Sequence, residues 1–396
     1  MRLTHLTLEN YRNYNQLALS FDPTEPLTCI VGENAQGKTN ILEAIYLLAL
    51  TKSFRTHDQK DVIQWGKEYA RVKGAFEEIN KTVENVNTKP SSLNLEIFLG
   101  HLPHPEKVLK KNGVQVNAES FVGTCQIVFF HQESLSMLYL GPELRRHYID
   151  VLNLQVNKKI WHILANYRRI LKQRNALLKS GRDGLQSVST ASDNLRVWDE
   201  QLVEYGSLII TERSKTVHYF NQNLQKYYQK ITNSEDVANV EYVSSIGAAE
   251  QNFESCKKAY RETMQQAYSK DLRMQYTTVG PHRDDVIFFL NKRKLACHAS
   301  RGEYRSLLLA LKLLELQFFE EQTGKKPLLL LDDVFSELDM NRQKMLLQAI
   351  VDHQTIMTTT HADHLPNYAV AREHAGLGQA KTRYFEIKDG HMQNAA

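Results

Sequence analysis

Four cysteines in 396 residues are few, and Cys29, Cys125, Cys256 and Cys297 stand far apart. None forms a C-x-x-C pair, so neither a zinc site nor a disulfide framework is expected. No apolar run approaches the roughly 18 residues that a membrane-spanning helix needs. Met1 to Glu9 alternate apolar and polar side chains and lack the apolar core of a signal peptide. Charge of one sign is not in excess either. The 49 Lys and Arg against 45 Asp and Glu leave a formal charge of +4, which permits a nucleic-acid partner without demanding one. Internal repeats and low-complexity tracts are missing. With 42% hydrophobic and 24% charged residues, these absences leave an ordinary globular chain, expected in the reducing cytoplasm and long enough for two domains.

What is present is concentrated in GENAQGKTN, residues 32–40. Gly32, Gly37, Lys38 and Thr39 fill the fixed places of G-x-x-x-x-G-K-[ST]. Leu27 to Val31, apolar and β-branched, reads as a buried strand before the loop. Asn40 to Leu50, rich in helix formers, reads as a helix after it. Backbone N–H groups along Gly32, Glu33, Asn34, Ala35, Gln36 and Gly37 would point at phosphate oxygens. Lys38 would reach the β- and γ-phosphates, and Thr39 would offer its hydroxyl to Mg²⁺. A nucleotide and Mg²⁺ are the expected cofactors.

Nucleotide hydrolysis needs more than this loop. Leu328 to Leu331 read as a buried parallel strand that ends in Asp332 and Asp333. Ligands of α/β sheets bind at that end. Asp332 stands in the Walker B place as a Mg²⁺ ligand, and Asp333 is the candidate to orient or deprotonate water. The plain alternative for two aspartates at a strand end is a cap or turn. Ser300-Arg301-Gly302 opens an apolar helix, Arg305 to Glu321, shortly before that strand. Ser300 and Gly302 suit an anion, although S-x-G opens many ordinary helices. Thr355 to Thr360 read as a strand, and His361 follows it.

The texture along the chain suggests an α/β head, residues 1–135 and 280–396, split by a helical insertion at 136–279. Within the insertion, Ile160, Ile163, Leu164, Tyr167, Ile170, Leu171, Leu177 and Leu178 recur at helical spacing. Helices are also expected over Leu195 to Gln222 and Asn252 to Ser269. No sustained a/d repeat appears, so long coiled-coil arms are not expected. Between Asn157 and Arg182 lie eight Lys or Arg and no acid. Arg168, Arg169, Lys172 and Arg174 are therefore candidate contacts to DNA phosphates, although a basic helix face is often merely solvated. Arg145, Arg146 and Asp150 are expected to join Arg283, Asp284 and Asp285 in a structural ion-pair network tying the insertion to the head.

The chain resembles the RecF family of bacterial recombinational repair proteins over nearly its whole length. The stretches that carry this are LTLENYRNY (6–14), VGENAQGKTNILEAIYLLAL (31–50), KSFRTH (52–57), GPELRRHYID (141–150), QRNALLK (173–179), VGPHRDD (279–285) and LLLLDDVFSELD (328–339). The resemblance implies an ABC-type P-loop ATPase head related to those of SMC proteins, with ATP as the nucleotide. It also implies ATP-dependent homodimerisation, slow hydrolysis, DNA binding, and work with RecR and RecO to place RecA on gapped DNA. Ser300 and Gly302 would then be the signature, Ser336 to Asp339 the D-loop and His361 the switch histidine, with Arg12 near the nucleotide. The chain departs from the family in its signature, where Arg301, Glu303 and Tyr304 replace a glutamine-rich run. It departs again at Phe130-His131-Gln132-Glu133, where Gln132 is the Q-loop candidate. The rival implied by the same likeness is an SMC-like chromosome-structural ATPase.

Overall fold

The computed structural model describes residues 1–22, 25–56, 58–78, 92–101, 104–180, 188–247, 252–360, 382–388 and 391–394. The chain divides into two compact units, Met1–Ser134 with Leu308–Ala396, and Leu135–Leu307.

The first unit holds two six-stranded sheets with a helix between them. One sheet is antiparallel, built from β1 (Arg2–Tyr11), β2 (Tyr14–Ser20), β4 (Tyr69–Glu77), β5 (Ser92–Gly100), β6 (Glu106–Lys111) and β7 (Val114–Val116), in the order β2-β1-β4-β5-β6-β7. Leu3, Leu6 and Leu8 are all fully buried although two residues, not one, separate the first two. A bulge between Leu3 and His5 absorbs the extra residue and returns the leucines to one face. The other sheet contains β3 (Leu27–Val31), β8 (Ile127–His131), β12 (Leu328–Asp332), β13 (Thr355–Thr359), β14 (Arg383–Lys388) and β15 (His391–Asn394). Its order is β15-β14-β3-β13-β12-β8, and every pairing is parallel except β14 with β15. These parallel strands read as continuous apolar runs because both their faces are covered. Helix α1 (Lys38–Leu50) touches strands of both sheets, which is why it is buried nearly all round. The turn α2 (Ala118–Phe121) precedes β8, and α10 (Met340–Ile350) links β12 to β13.

The second unit is mainly helical: α3 (Ser136–Tyr139), α4 (Pro142–Val156), α5 (Lys159–Ser180), α6 (Val188–Thr232), α7 (Phe253–Met274) and the turn α8 (Leu295–His298). Its core interleaves Ile160, Leu164, Tyr167 and Ile170 of α5 with Leu202, Val203, Ile209 and Ile210 of α6 and Cys256, Tyr260 and Met264 of α7. The unit also carries a small antiparallel sheet of β9 (Ala238–Val243), β10 (Asp285–Leu290) and β11 (Arg293–Lys294). Because β10 pairs with β9 along its whole length, residues 280–307 belong to this unit rather than to the third stretch that texture suggested. After Lys294 the chain leaves the sheet and turns into α8. The chain re-enters the first unit within α9 (Arg301–Thr323).

Of the ion-pair network expected around residues 145–150 and 283–285, the Arg145–Asp285 pair forms, inside the second unit, whereas Arg283 donates to the Thr277 carbonyl at 3.3 Å. Arg145 makes two bonds to Asp285, at 2.8 and 2.9 Å, and the backbone carbonyl of Asp284 accepts from Arg146. Asp150 takes two bonds from buried Arg213, which also donates to the Pro281 carbonyl.

Candidate functional site

The loop after β3 is shaped by what surrounds it. The N–H of Gly32 donates to the Thr359 carbonyl on β13. A Cβ on Gly32 would lie 2.5 Å from the Ile387 carbonyl oxygen of β14, so only glycine fits there. Ala35 and Gly37 have left-handed backbones, φ 65° and 106°, and these fold the chain into a cradle at the start of α1. The Lys38 ammonium donates to the carbonyls of Gly32 at 2.6 Å and Glu33 at 2.7 Å. The loop therefore closes around that charge. Burial lowers the Lys38 pKa, while the charges of Asp333 and Asp332 pull it back up.

Asp332 ends β12, two strands from β3, and its carboxylate meets the start of α1. Thr39 donates its hydroxyl to both carboxylate oxygens, at 2.9 and 3.0 Å, and Thr358 of β13 donates to one of them at 2.6 Å. Two residues 293 positions apart in sequence are thus in direct contact. Next to them Asp333 has a left-handed backbone, φ 49°. Its N–H is held by the carbonyl and hydroxyl oxygens of Thr358 at 3.2 and 3.1 Å. Such a conformation costs energy for a residue with a Cβ and collects at functional sites.

On the other side of β12, His131 of β8 pairs with Asp332. The imidazole stacks on Phe129 at 4.4 Å and lies 5.3 Å from Phe54. Burial, with a contribution from the Lys312 charge, lowers its pKa to about 3. Gln132 follows it, exposed, in a 3₁₀ turn (Gln132–Leu135) at the same end of the sheet. The D-loop stretch forms a 3₁₀ turn over Phe335–Glu337, and Asp339 caps α10 by accepting the Arg342 N–H.

Arg12 is committed within the protein. It makes two bonds to fully buried Glu43 of α1, at 2.8 and 2.5 Å, and one to the Asp61 carbonyl. Its neighbour Asn13, which sequence reasoning passed over, touches the loop itself. The Asn13 amide donates to the Gln36 carbonyl at 2.9 Å, and its oxygen accepts from Asn40 at 2.8 Å. No local signal marks Asn13, because its role depends on a hairpin folding back on a loop more than twenty residues away.

Ser300 and Gly302 lie at the start of α9 within the second unit. The unusual Glu303 has a plain structural reason. Its carboxylate accepts the Ser300 N–H at 2.6 Å, and the Ser300 hydroxyl accepts the Glu303 N–H at 3.3 Å. This reciprocal pair is a capping box. Tyr304 donates to the Leu295 carbonyl and packs edge-on to Tyr139. His361 lies outside the described residues.

One candidate DNA contact is corrected. Arg168, Arg169 and Lys172 are exposed on α5, but Arg174 is completely buried. It bonds Asp199 at 2.6 Å, Asp271 at 2.7 Å and the Thr277 hydroxyl at 2.9 Å. It holds the helices together and cannot face a phosphate backbone. The signal was available, since position 174 continues the buried stripe of Ile160, Leu164, Tyr167 and Ile170 toward Leu178.

A phosphate loop, a Thr–Asp contact at its base and an α/β head split by a helical unit define a family as well as a site. Residues 2–376 match the family described as RecF/RecN/SMC N terminal domain. The DNA replication and repair protein RecF of Streptococcus uberis is 38% identical over 369 residues, 92% of this chain and 94% of that protein. The chain belongs to the RecF family. The RecF of Halalkalibacterium halodurans is 34% identical over 396 residues, 99% of each chain. A solved structure described as the recombination mediator protein RecF–ATP in the RecFOR pathway superposes with a TM-score of 0.86 at 30% identity, covering 100% of this chain and 97% of that one. An Smc head from Pyrococcus furiosus shares the fold, with a TM-score of 0.53 at 15% identity over 99% of this chain and 95% of that one.

Proposed function

We propose that this protein is an ATP-dependent DNA-binding mediator of recombinational repair and replication restart, acting in the RecFOR pathway. RecF membership over 99% of the chain supports this, and the single observation that carries the chemistry is the Thr39–Asp332 contact beneath the loop. That arrangement fits a Mg²⁺–nucleotide. The loop offers backbone N–H groups and Lys38 to the phosphates, and Thr39 and Asp332 would hold Mg²⁺. The bound metal would neutralise phosphate charge. Asp333 would orient water, Arg12 would brace α1 through Glu43, and Ser300 and Gly302 would meet the nucleotide of a second copy. His361 remains the proposed γ-phosphate contact on the family pattern alone. The enzyme would be a slow, DNA-stimulated ATPase that dimerises on ATP and uses hydrolysis to time release. Partners would be gapped, single-stranded or duplex DNA and RecR, with RecO and RecA downstream, in the cytoplasm. Among the described residues no helix is long and apolar enough to cross a membrane. The SMC-like rival has behind it a family model shared with RecF and a likeness of fold at 15% identity.

Sedimentation of wild type, Lys38→Met and Asp333→Asn, with ATP, ADP or neither and with or without DNA, tests this. Lys38→Met should not bind nucleotide or dimerise. Asp333→Asn should bind ATP, stop turning it over and accumulate as a dimer. Equal dimer content of wild type in ATP, ADP and no nucleotide would refute the switch, and wild-type turnover by Asp333→Asn would refute the role of that carboxylate.

A further inference from the structure

The hairpin between β1 and β2 reaches the phosphate loop through Asn13 and Tyr14. A Cβ placed on Gly37 would lie 2.4 Å from the Asn13 amide nitrogen and 2.8 Å from the Tyr14 hydroxyl. Tyr14 is completely buried, yet among the described residues its hydroxyl has no hydrogen-bond partner. An orphaned buried hydroxyl costs stability, so it calls for an explanation. We propose that Tyr14 is a positioning residue of the loop, whose hydroxyl donates to a loop carbonyl once polyphosphate is bound.

The loop's own bonding supplies the reason. Lys38 now satisfies the carbonyls of Gly32 and Glu33. A polyphosphate that takes the Lys38 ammonium withdraws that donor, and the loop backbone has to find others. Gly37, at φ 106°, is the residue with most freedom to rotate its flanking peptides, and it is the residue against which the Tyr14 hydroxyl lies. Burial raises the Tyr14 pKa, so the phenol stays a neutral donor. Asn13 already holds the Gln36 carbonyl, so the hairpin offers one donor that is engaged and one in reserve.

This inference rests on the nucleotide reading of the loop, and one variant separates the two. Tyr14→Phe removes only the hydroxyl. Without nucleotide it should melt at or above the wild-type temperature, because no bond is lost. Its affinity for ADP and for ATP, measured by calorimetric titration, should fall about three- to tenfold, the worth of one hydrogen bond. Unchanged affinity would overturn the proposal. So would a melting temperature several degrees lower without nucleotide, because the hydroxyl would then already be bonded. Wild-type protein that binds neither nucleotide would overturn the site reading itself, and the inference with it.

Discussion

At the scale of single residues, chemical type alone misleads where burial decides. Arg168 and Arg174 are six positions apart on one helix, with opposite surroundings. Replacing Arg168, Arg169 and Lys172 by alanine should leave the melting temperature nearly unchanged. If α5 carries DNA, it should also flatten the salt dependence of duplex binding by up to about 0.9 in the log–log slope per lost contact. An unchanged slope would move the DNA surface elsewhere. Arg174→Ala should instead strand Asp199 and Asp271 and destabilise the protein by about 3–5 kcal/mol, read as an earlier urea midpoint. Glycine makes the same point at position 32. The motif marks it as part of a loop, but its strictness comes from the Ile387 carbonyl, which nothing near it in the sequence announces.

Elements were legible where periodicity was strong and obscure where it was short. The strands flanking Lys38 and Asp332 and the helices around Ile160 and Tyr260 could be read from spacing, because their apolar residues repeat over several turns or run unbroken. β9, β14 and β15 could not, because ANVEYV and the short C-terminal pairs are strands only by virtue of their neighbours. Helix α6 runs from Val188 to Thr232, well past the expected Gln222, since Leu224, Tyr228 and Ile231 keep the buried stripe going. The start of α9 was read as a place for an anion, and its capping box was missed although S-x-x-E is its sequence mark. Glu303→Ala should cost about 0.5–2 kcal/mol by the loss of that cap, measured by denaturant unfolding. Glu303→Gln, which can still accept the Ser300 N–H, should recover most of it. Stability that does not respond to either change would show that the box contributes nothing.

On the scale of the whole molecule, half-buried imidazoles make stability depend on pH. His282 donates through one ring nitrogen to the Thr277 carbonyl, and its other nitrogen accepts from Tyr167 at 2.7 Å. Burial, above all, lowers its pKa from 6.5 to about 4, as it lowers that of His131 to about 3. Both folded values lie below the unfolded one, so the unfolded chain binds more protons in acid. Their contribution is therefore complete above about pH 7 and declines as pH falls from 6.5 toward 4, by at most ~1.4 kcal/mol per pH unit per ring. Urea midpoints at pH 7 and pH 5 should show the fall, and His282→Gln should flatten it; equal midpoints would contradict it. The division of the first unit also has a consequence in time. β3 takes both its neighbours, β13 and β14, from the C-terminal part of the chain, and among the described residues β8 pairs only with β12. As the chain leaves the ribosome, its first 134 residues therefore carry two hydrophobic strands with no partner to pair with. At about 5–20 residues per second, they wait tens of seconds for those partners. Throughout that interval β3 and β8 are open to pairing with other chains, and a ribosome that stalls within the helical unit should leave behind an aggregation-prone fragment.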